Sequence, residues 1–213
     1  MTSVQGTHRR FAVRSMVVAT AVLASVVVGM LPTAASADGS WLNESPPANW
    51  NTPGMAVPQA PPSPGPIDPR VLARNRWAES QEDVTLAQAG WHLFAQYQSG
   101  WGVKVVPGAS SFDGMGRPNG YQSFVFVDGV FAGTIAPDVM DARTDGAASN
   151  VFLTGADGLN AEFLRYASTD PLCCPSGTSF VTYQIQRSDT GPVVVAVSTT
   201  TQQNPTAQSG TAD

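Results

Sequence analysis

Cys173 and Cys174 are the only two cysteines of the 213-residue chain, and they stand side by side in Asp170-Pro171-Leu172-Cys173-Cys174-Pro175-Ser176. Neighbouring Cα atoms are about 3.8 Å apart across a trans peptide, whereas an ordinary disulfide spans roughly 4.4 to 6.8 Å. A bond between them closes a strained, comparatively reducible ring. Four states are open to the pair: a vicinal disulfide locking a turn, two packed thiols, bridges to another molecule, or soft-metal ligation. Two thiolates suit copper(I) but are too few ligands alone, and Met115 and Met140 add to them only if the fold brings them near. Pro171 and Pro175 each fix φ and remove a backbone donor, which favours the locked turn, so the vicinal disulfide is the expectation carried forward. With no CxxC motif, thiol–disulfide catalysis is disfavoured.

Other chemistry is thinly supplied. His92 is the one histidine beyond the first 37 residues, so any Ser-His-Asp mechanism must use it, and a two-histidine zinc site is ruled out by count. Asp141, Asp145 and Gly146 fall at positions one, five and six of a calcium loop, but Arg143 stands at position three and Phe152 at position twelve; an Asp–Arg turn network explains the stretch better. Asp141, Asp145 and Glu162 could pair as hydrolase carboxylates only through spatial proximity that spacing does not reveal. The expectation is a non-enzymatic protein with no catalytic residue, no metal and no cofactor.

The compartment is written at the start of the chain. Arg9, Arg10 and Arg14 precede the uncharged apolar run from Ser15 to Leu31, and Ala35-Ser36-Ala37 meets the small-residue cleavage pattern. Residues 1–37 read as a secretory signal. The runner-up is an uncleaved anchor tethering the same domain, although the run is short for a bilayer-spanning helix, which needs about 20 residues. No cysteine lies near Ala37 to accept a lipid, so no stable membrane anchor is expected after cleavage. Beyond residue 37, eight basic residues face sixteen acidic ones, and Lys104 is the one lysine. Nucleic acid and anionic membranes, which need clustered cations, are poor partners for such a surface. The remaining expectation is an envelope or extracellular partner of unknown identity.

These residues must be positioned by the elements between them. Nine prolines between Ser45 and Pro69 read as a disordered, semi-rigid spacer over residues 38–68, with Trp41 and Trp50 either disordered or a docking handle. A single domain follows over residues 69–199, and a disordered polar tail over 200–213. Asp68-Pro69 opens a short helix through Trp77. Leu86, Ala89, Leu93, Phe94 and Tyr97 recur at helical spacing and predict the main helix over 83–98. The pattern then switches to period two. Asp128-Gly129 turns one hairpin and Asp157-Gly158 a second, Asp145 and Gly146 sit in a further turn, and Val181, Tyr183 and Ile185 alternate on one strand face. The reading is α+β: an antiparallel sheet of five to six strands covered by one main N-terminal helix, with Trp77, Trp91 and Trp101 over the sheet.

Four phrases go further: Val125-Phe126-Val127-Asp128-Gly129-Val130-Phe131-Ala132-Gly133-Thr134, Arg143-Thr144-Asp145-Gly146-Ala147, Ala161-Glu162-Phe163-Leu164-Arg165-Tyr166 and the Cys173-Cys174-Pro175-Ser176 element. Over roughly Leu86 to Val197 the chain resembles the LppP/LprE family of small bacterial envelope lipoproteins. The resemblance implies an exported cell-envelope domain and no settled biochemical activity. The chain departs from the anchored members in lacking the lipidated cysteine.

Overall fold

The computed structural model describes residues 39–205; the expected signal and the last residues of the expected tail lie outside them. Eight strands form two four-stranded antiparallel sheets. The first sheet holds, in spatial order, β1 (Gln98–Gly100), β2 (Val103–Phe112), β3 (Pro118–Val127) and β4 (Val130–Thr134). The second holds β5 (Ala148–Gly155), β6 (Gly158–Arg165), β7 (Gly177–Ser188) and β8 (Gly191–Gln203). The expectation of one sheet under one main helix is therefore wrong: the principal cover of each sheet is the other sheet.

Burial patterns show why. β7 alternates buried and exposed residues along its length, as a strand does with one face in a core and one in water. β3 is buried at seven consecutive positions, Tyr121 to Val127, so both faces of the first sheet are covered. Its inner face meets the second sheet around Val105, Val125, Leu159, Phe163, Val181 and Tyr183. On its outer face, Val106, Phe124, Phe126 and Phe131 pack with Leu86, Trp91 and Leu93. Full burial of side chains of this size is worth about 1.5–3 kcal/mol each.

The helical expectation failed at a local stop signal. Helix α1 spans only Pro69–Leu72, capped by Asp68, and α2 only Gln81–Gln88, capped by Ser80. Beyond α2, Gly90 at φ 88° lets Trp91 N–H bond Leu86 C=O and Gly90 N–H bond Ala87 C=O. This is a Schellman termination. Leu93, Phe94 and Tyr97 sit at helical spacing by coincidence; His92 leaves the helix and makes a β-bridge with Ala109.

β2 escaped the sequence reading because Pro107 and Gly108 interrupt it. Pro107 is tolerated because β1 pairs only with residues 103–105, leaving no ladder partner for an N–H on that side.

The proline-rich segment is not a free spacer. Leu42 enters the inter-sheet core with Trp41 and Trp50 packed against it, and Met55, Val57 and Ala60 pack on the outer cluster. Extended proline-rich backbone makes no internal hydrogen bonds, so its carbonyls can receive donors from the domain: the Trp91 indole N–H reaches Pro58 C=O at 2.8 Å. At the other end β8 continues to Gln203, through residues expected in the tail. Trp77 and Trp101, expected to cover the sheet, are 86 % and 66 % exposed.

Candidate ligand-binding site

Two sheets whose edges approach leave two seams, β4 beside β8 and β1 beside β5. Each is crossed by one side-chain amide. At the first, Asn51 Nδ2 donates to Thr134 C=O (2.9 Å) and Val194 C=O (3.0 Å), while Oδ1 accepts from Thr134 N–H (3.0 Å). Asn51 is 1 % exposed. The Trp50 indole N–H adds a bond to Thr134 C=O at 3.1 Å. A Cβ on Gly133 would lie 2.3 Å from Asn51 Cγ, so only glycine lets the amide enter.

At the second seam β1 is three residues long and its burial is slight. The exposed Gln98 reaches across it: Nε2 donates to Val151 C=O and Oε1 accepts from Leu153 N–H (3.2 Å). The amide thus stands in for one peptide group of a missing strand. Beside it a cleft of about 410 Å³ runs in between the sheets, with Phe94, Val105, Tyr121, Ala148, Val151 and Leu164 among its walls. The cleft stays open for two reasons. Ala142, Ala147 and Ala148 put methyl groups where larger side chains would fill it, and the β5–β6 register slips between Ala148 and Asn150.

The polar groups of the cleft are largely occupied. Tyr121 OH donates to Ala148 C=O at 2.9 Å; burial, with the Asp141 carboxylate nearby, pushes the phenol well above its ordinary range, so it stays neutral. Ser149 Oγ donates to Glu162 C=O and Asn150 Oδ1 accepts from Val151 N–H. Arg143 lines the cleft, exposed, at φ 66°. It makes no ion pair with any described residue.

The residues singled out from sequence are dispersed. Cys173 and Cys174 are disulfide-bonded to each other and exposed in the β6–β7 connection. Pro171 C=O accepts from Cys174 N–H, and Pro175 C=O accepts from Asn204 Nδ2, tying the turn to the end of β8. Asp170 also holds the connection together, accepting from Ala167 N–H and Ser176 N–H. Asp128 and Gly129 form the two-residue β3–β4 turn at φ 49° and 82°. Asp145 pairs with Arg165 (2.9 Å) rather than with Arg143, and Gly146 N–H bonds Leu164 C=O.

Other candidates are used in packing. The His92 ring leans on Phe112, and burial holds its pKa below the ordinary value. Met140 is buried with Sδ at Ala148 N–H, whereas Met115 is exposed beside Arg117. Among the described residues no cluster of three His, Cys, Asp or Glu side chains is placed to hold a metal. Trp41 packs edge-on against Trp50 and Phe163 as part of the core, neither disordered nor a handle. A second groove, about 650 Å³, is lined by Leu72, Trp77 and His92. Its cation, Arg76, is consumed by a two-pronged ion pair with the buried Asp83.

Sequence reasoning missed Gln98 and Asn51. The signal for Asn51 was faint but present: Asn49-Trp50-Asn51 is an amide-rich interruption in a proline-rich run.

With the cleft, the disulfide turn and the strand order in view, comparison with known families finds a match over one stretch. Residues 103–188 match the LppP/LprE lipoprotein family. The LppP/LprE match runs from the first residue of β2 to the last of β7. It takes in Tyr121, Arg143, Ala148, Val151 and Leu164 of the cleft and the Cys173–Cys174 turn; Asn51, Gln98 and β8 lie outside it. Over that stretch, less than half of the chain, it is similar to the LppP/LprE lipoproteins, a likeness that suggests an envelope-associated domain. No curated protein and no solved structure matches the chain. Among the described residues no helix is long and apolar enough to cross a membrane.

Proposed function

We propose that this protein is a non-enzymatic binding module of the cell envelope, and that its ligand site is the cleft at the β1/β5 seam. The observation that carries this reading is the cleft itself: an apolar space of about 410 Å³ reached between two sheets, within the roughly 300–1,000 Å³ common for small-ligand sites. The non-enzymatic part is supported by His92, whose ring leans on Phe112 and whose backbone bridges Ala109. Ten-carbon single-chain amphiphiles test the site. At least one should raise the melting temperature in proportion to its saturation, and Ala142→Trp, which fills the cleft, should abolish the shift. Absence of a shift with every such probe overturns the reading.

A second reading has its own support, because the Cys173–Cys174 disulfide is exposed rather than buried. On that reading the pair is reduced by an external dithiol, which is oxidised to its own disulfide while two thiols form here, and the thiols then cycle or bind copper(I). Intact-mass analysis after alkylation decides. A pair that resists a dithiol buffer in the native protein and takes up no copper(I) after forced reduction ends this alternative.

A further inference from the structure

We infer that the cleft takes a single-chain anionic amphiphile, its tail between the sheets and its head group on the Arg143 guanidinium; this deepens the binding-module reading and rests on it. The argument is one of remaining valence. A ligand in this cleft meets a largely apolar wall on which several polar groups are already engaged: Tyr121 OH by Ala148 C=O, the Gln98 amide by the β5 edge, Ser149 Oγ by Glu162 C=O and Asn150 Oδ1 by Val151 N–H. A small polar ligand would therefore find few free donors or acceptors in exchange for its hydration. A hydrocarbon chain asks for none.

At the lip the situation reverses. Of the charged groups on the connection from β4 to β5, Asp138 is exposed and does not line the cleft, Asp145 is held by Arg165 and Tyr166 N–H, and Asp141 accepts from Gly120 N–H at 2.7 Å. Arg143, between them, has no ion-pair partner among the described residues. Its left-handed backbone is one that residues other than glycine, asparagine and aspartate rarely adopt. Five N–H donors in a planar fork match a carboxylate or phosphate in two-pronged fashion.

Access is available where the chain would have to enter. Gln98 is exposed, and swinging its side chain away breaks two hydrogen bonds that water replaces. No strand pairing is lost.

The test uses n-decanoate, n-decanol and n-decyltrimethylammonium, each below its aggregation concentration, titrated by calorimetry into the protein and into Arg143→Gln and Ala142→Trp variants whose folding is checked by circular dichroism. Decanoate should bind at least about tenfold more tightly than the cationic chain, the size of one charge-assisted hydrogen bond. Arg143→Gln should remove that preference and leave decanol binding unchanged, and Ala142→Trp should abolish all three. Should Ala142→Trp fail to fold, Ala95→Leu, also in the cleft lining, replaces it. Equal binding of the three chains, or a preference that survives Arg143→Gln, overturns the anionic assignment and leaves the binding-module reading standing. Binding of none overturns both.

Discussion

The two seams of this molecule use the same chemistry to opposite ends. At β4/β8 a carboxamide is sealed in at 1 % exposure, makes three hydrogen bonds to two strands, and faces a glycine that leaves room for nothing else. At β1/β5 a carboxamide one methylene longer lies exposed, makes two hydrogen bonds to one strand, and borders an open cleft. The difference is what surrounds the amide. Buried, its partners have no water to fall back on, so the clip is obligatory; exposed, they do, so it is a latch. Two facing sheets can thus be permanently closed along one seam and openable along the other.

The comparison breaks most visibly at Asn51. Asn51→Ala should cost about 3 kcal/mol, because Thr134 N–H, Thr134 C=O and Val194 C=O lose a partner inside the core; urea denaturation measures it. If the loss is below about 1 kcal/mol, the β4/β8 seam is as replaceable as its counterpart.

Acid should act elsewhere, since neither amide titrates. Burial disfavours ionised Asp83, but the two Arg76 bonds and Glu79 N–H outweigh it and hold the carboxyl below its ordinary value. A depressed folded-state pKa contributes stability that is present above the unfolded value of about 3.9 and is lost as pH falls through the folded one. Below about pH 4 the outer layer should therefore weaken, and Asp83→Asn should flatten that part of the stability–pH curve while lowering stability at pH 7. An unchanged curve would mean that acid attacks the seams or the core instead.

Arg143→Gly should raise stability by up to about 1 kcal/mol, since glycine removes the left-handed penalty. A residue that costs stability and is absent from the packing is expected at a site of interaction. A destabilised glycine variant would show that the guanidinium packs structurally. The smallest effect belongs to Gln98→Ala, under about 1 kcal/mol by the same denaturation, with faster association of ten-carbon chains in stopped-flow measurements. A loss comparable to that of Asn51→Ala would erase the distinction between the seams.

Parts of this architecture were legible in the chain. The Asp128-Gly129 turn, a hairpin at Asp157 whose two turn residues are Ala156 and Asp157 rather than Asp157 and Gly158, the alternation of Val181, Tyr183 and Ile185, and the LppP/LprE likeness around Cys173-Cys174 all depend on residues close in sequence. Other parts misled for equally local reasons. Leu93, Phe94 and Tyr97 imitate a helix that Gly90 has already ended, and Pro107 disguises a strand. The proline-rich stretch has too few apolar residues to make a core of its own, yet it supplies Leu42, Trp41 and Trp50 to one made by others.

What the sequence determined by itself was whatever its nearest neighbours decide: where the chain turns, and that two cysteines stand side by side between two prolines. Tertiary structure alone decided that Asn51 would close a seam with Thr134 and Val194, 83 and 143 residues away, and that Arg143 would stand at an apolar cleft with no ion-pair partner among the described residues. Such pairings depend on how two sheets face each other. That arrangement is set by the summed burial of both inner faces, a quantity no short window of sequence contains.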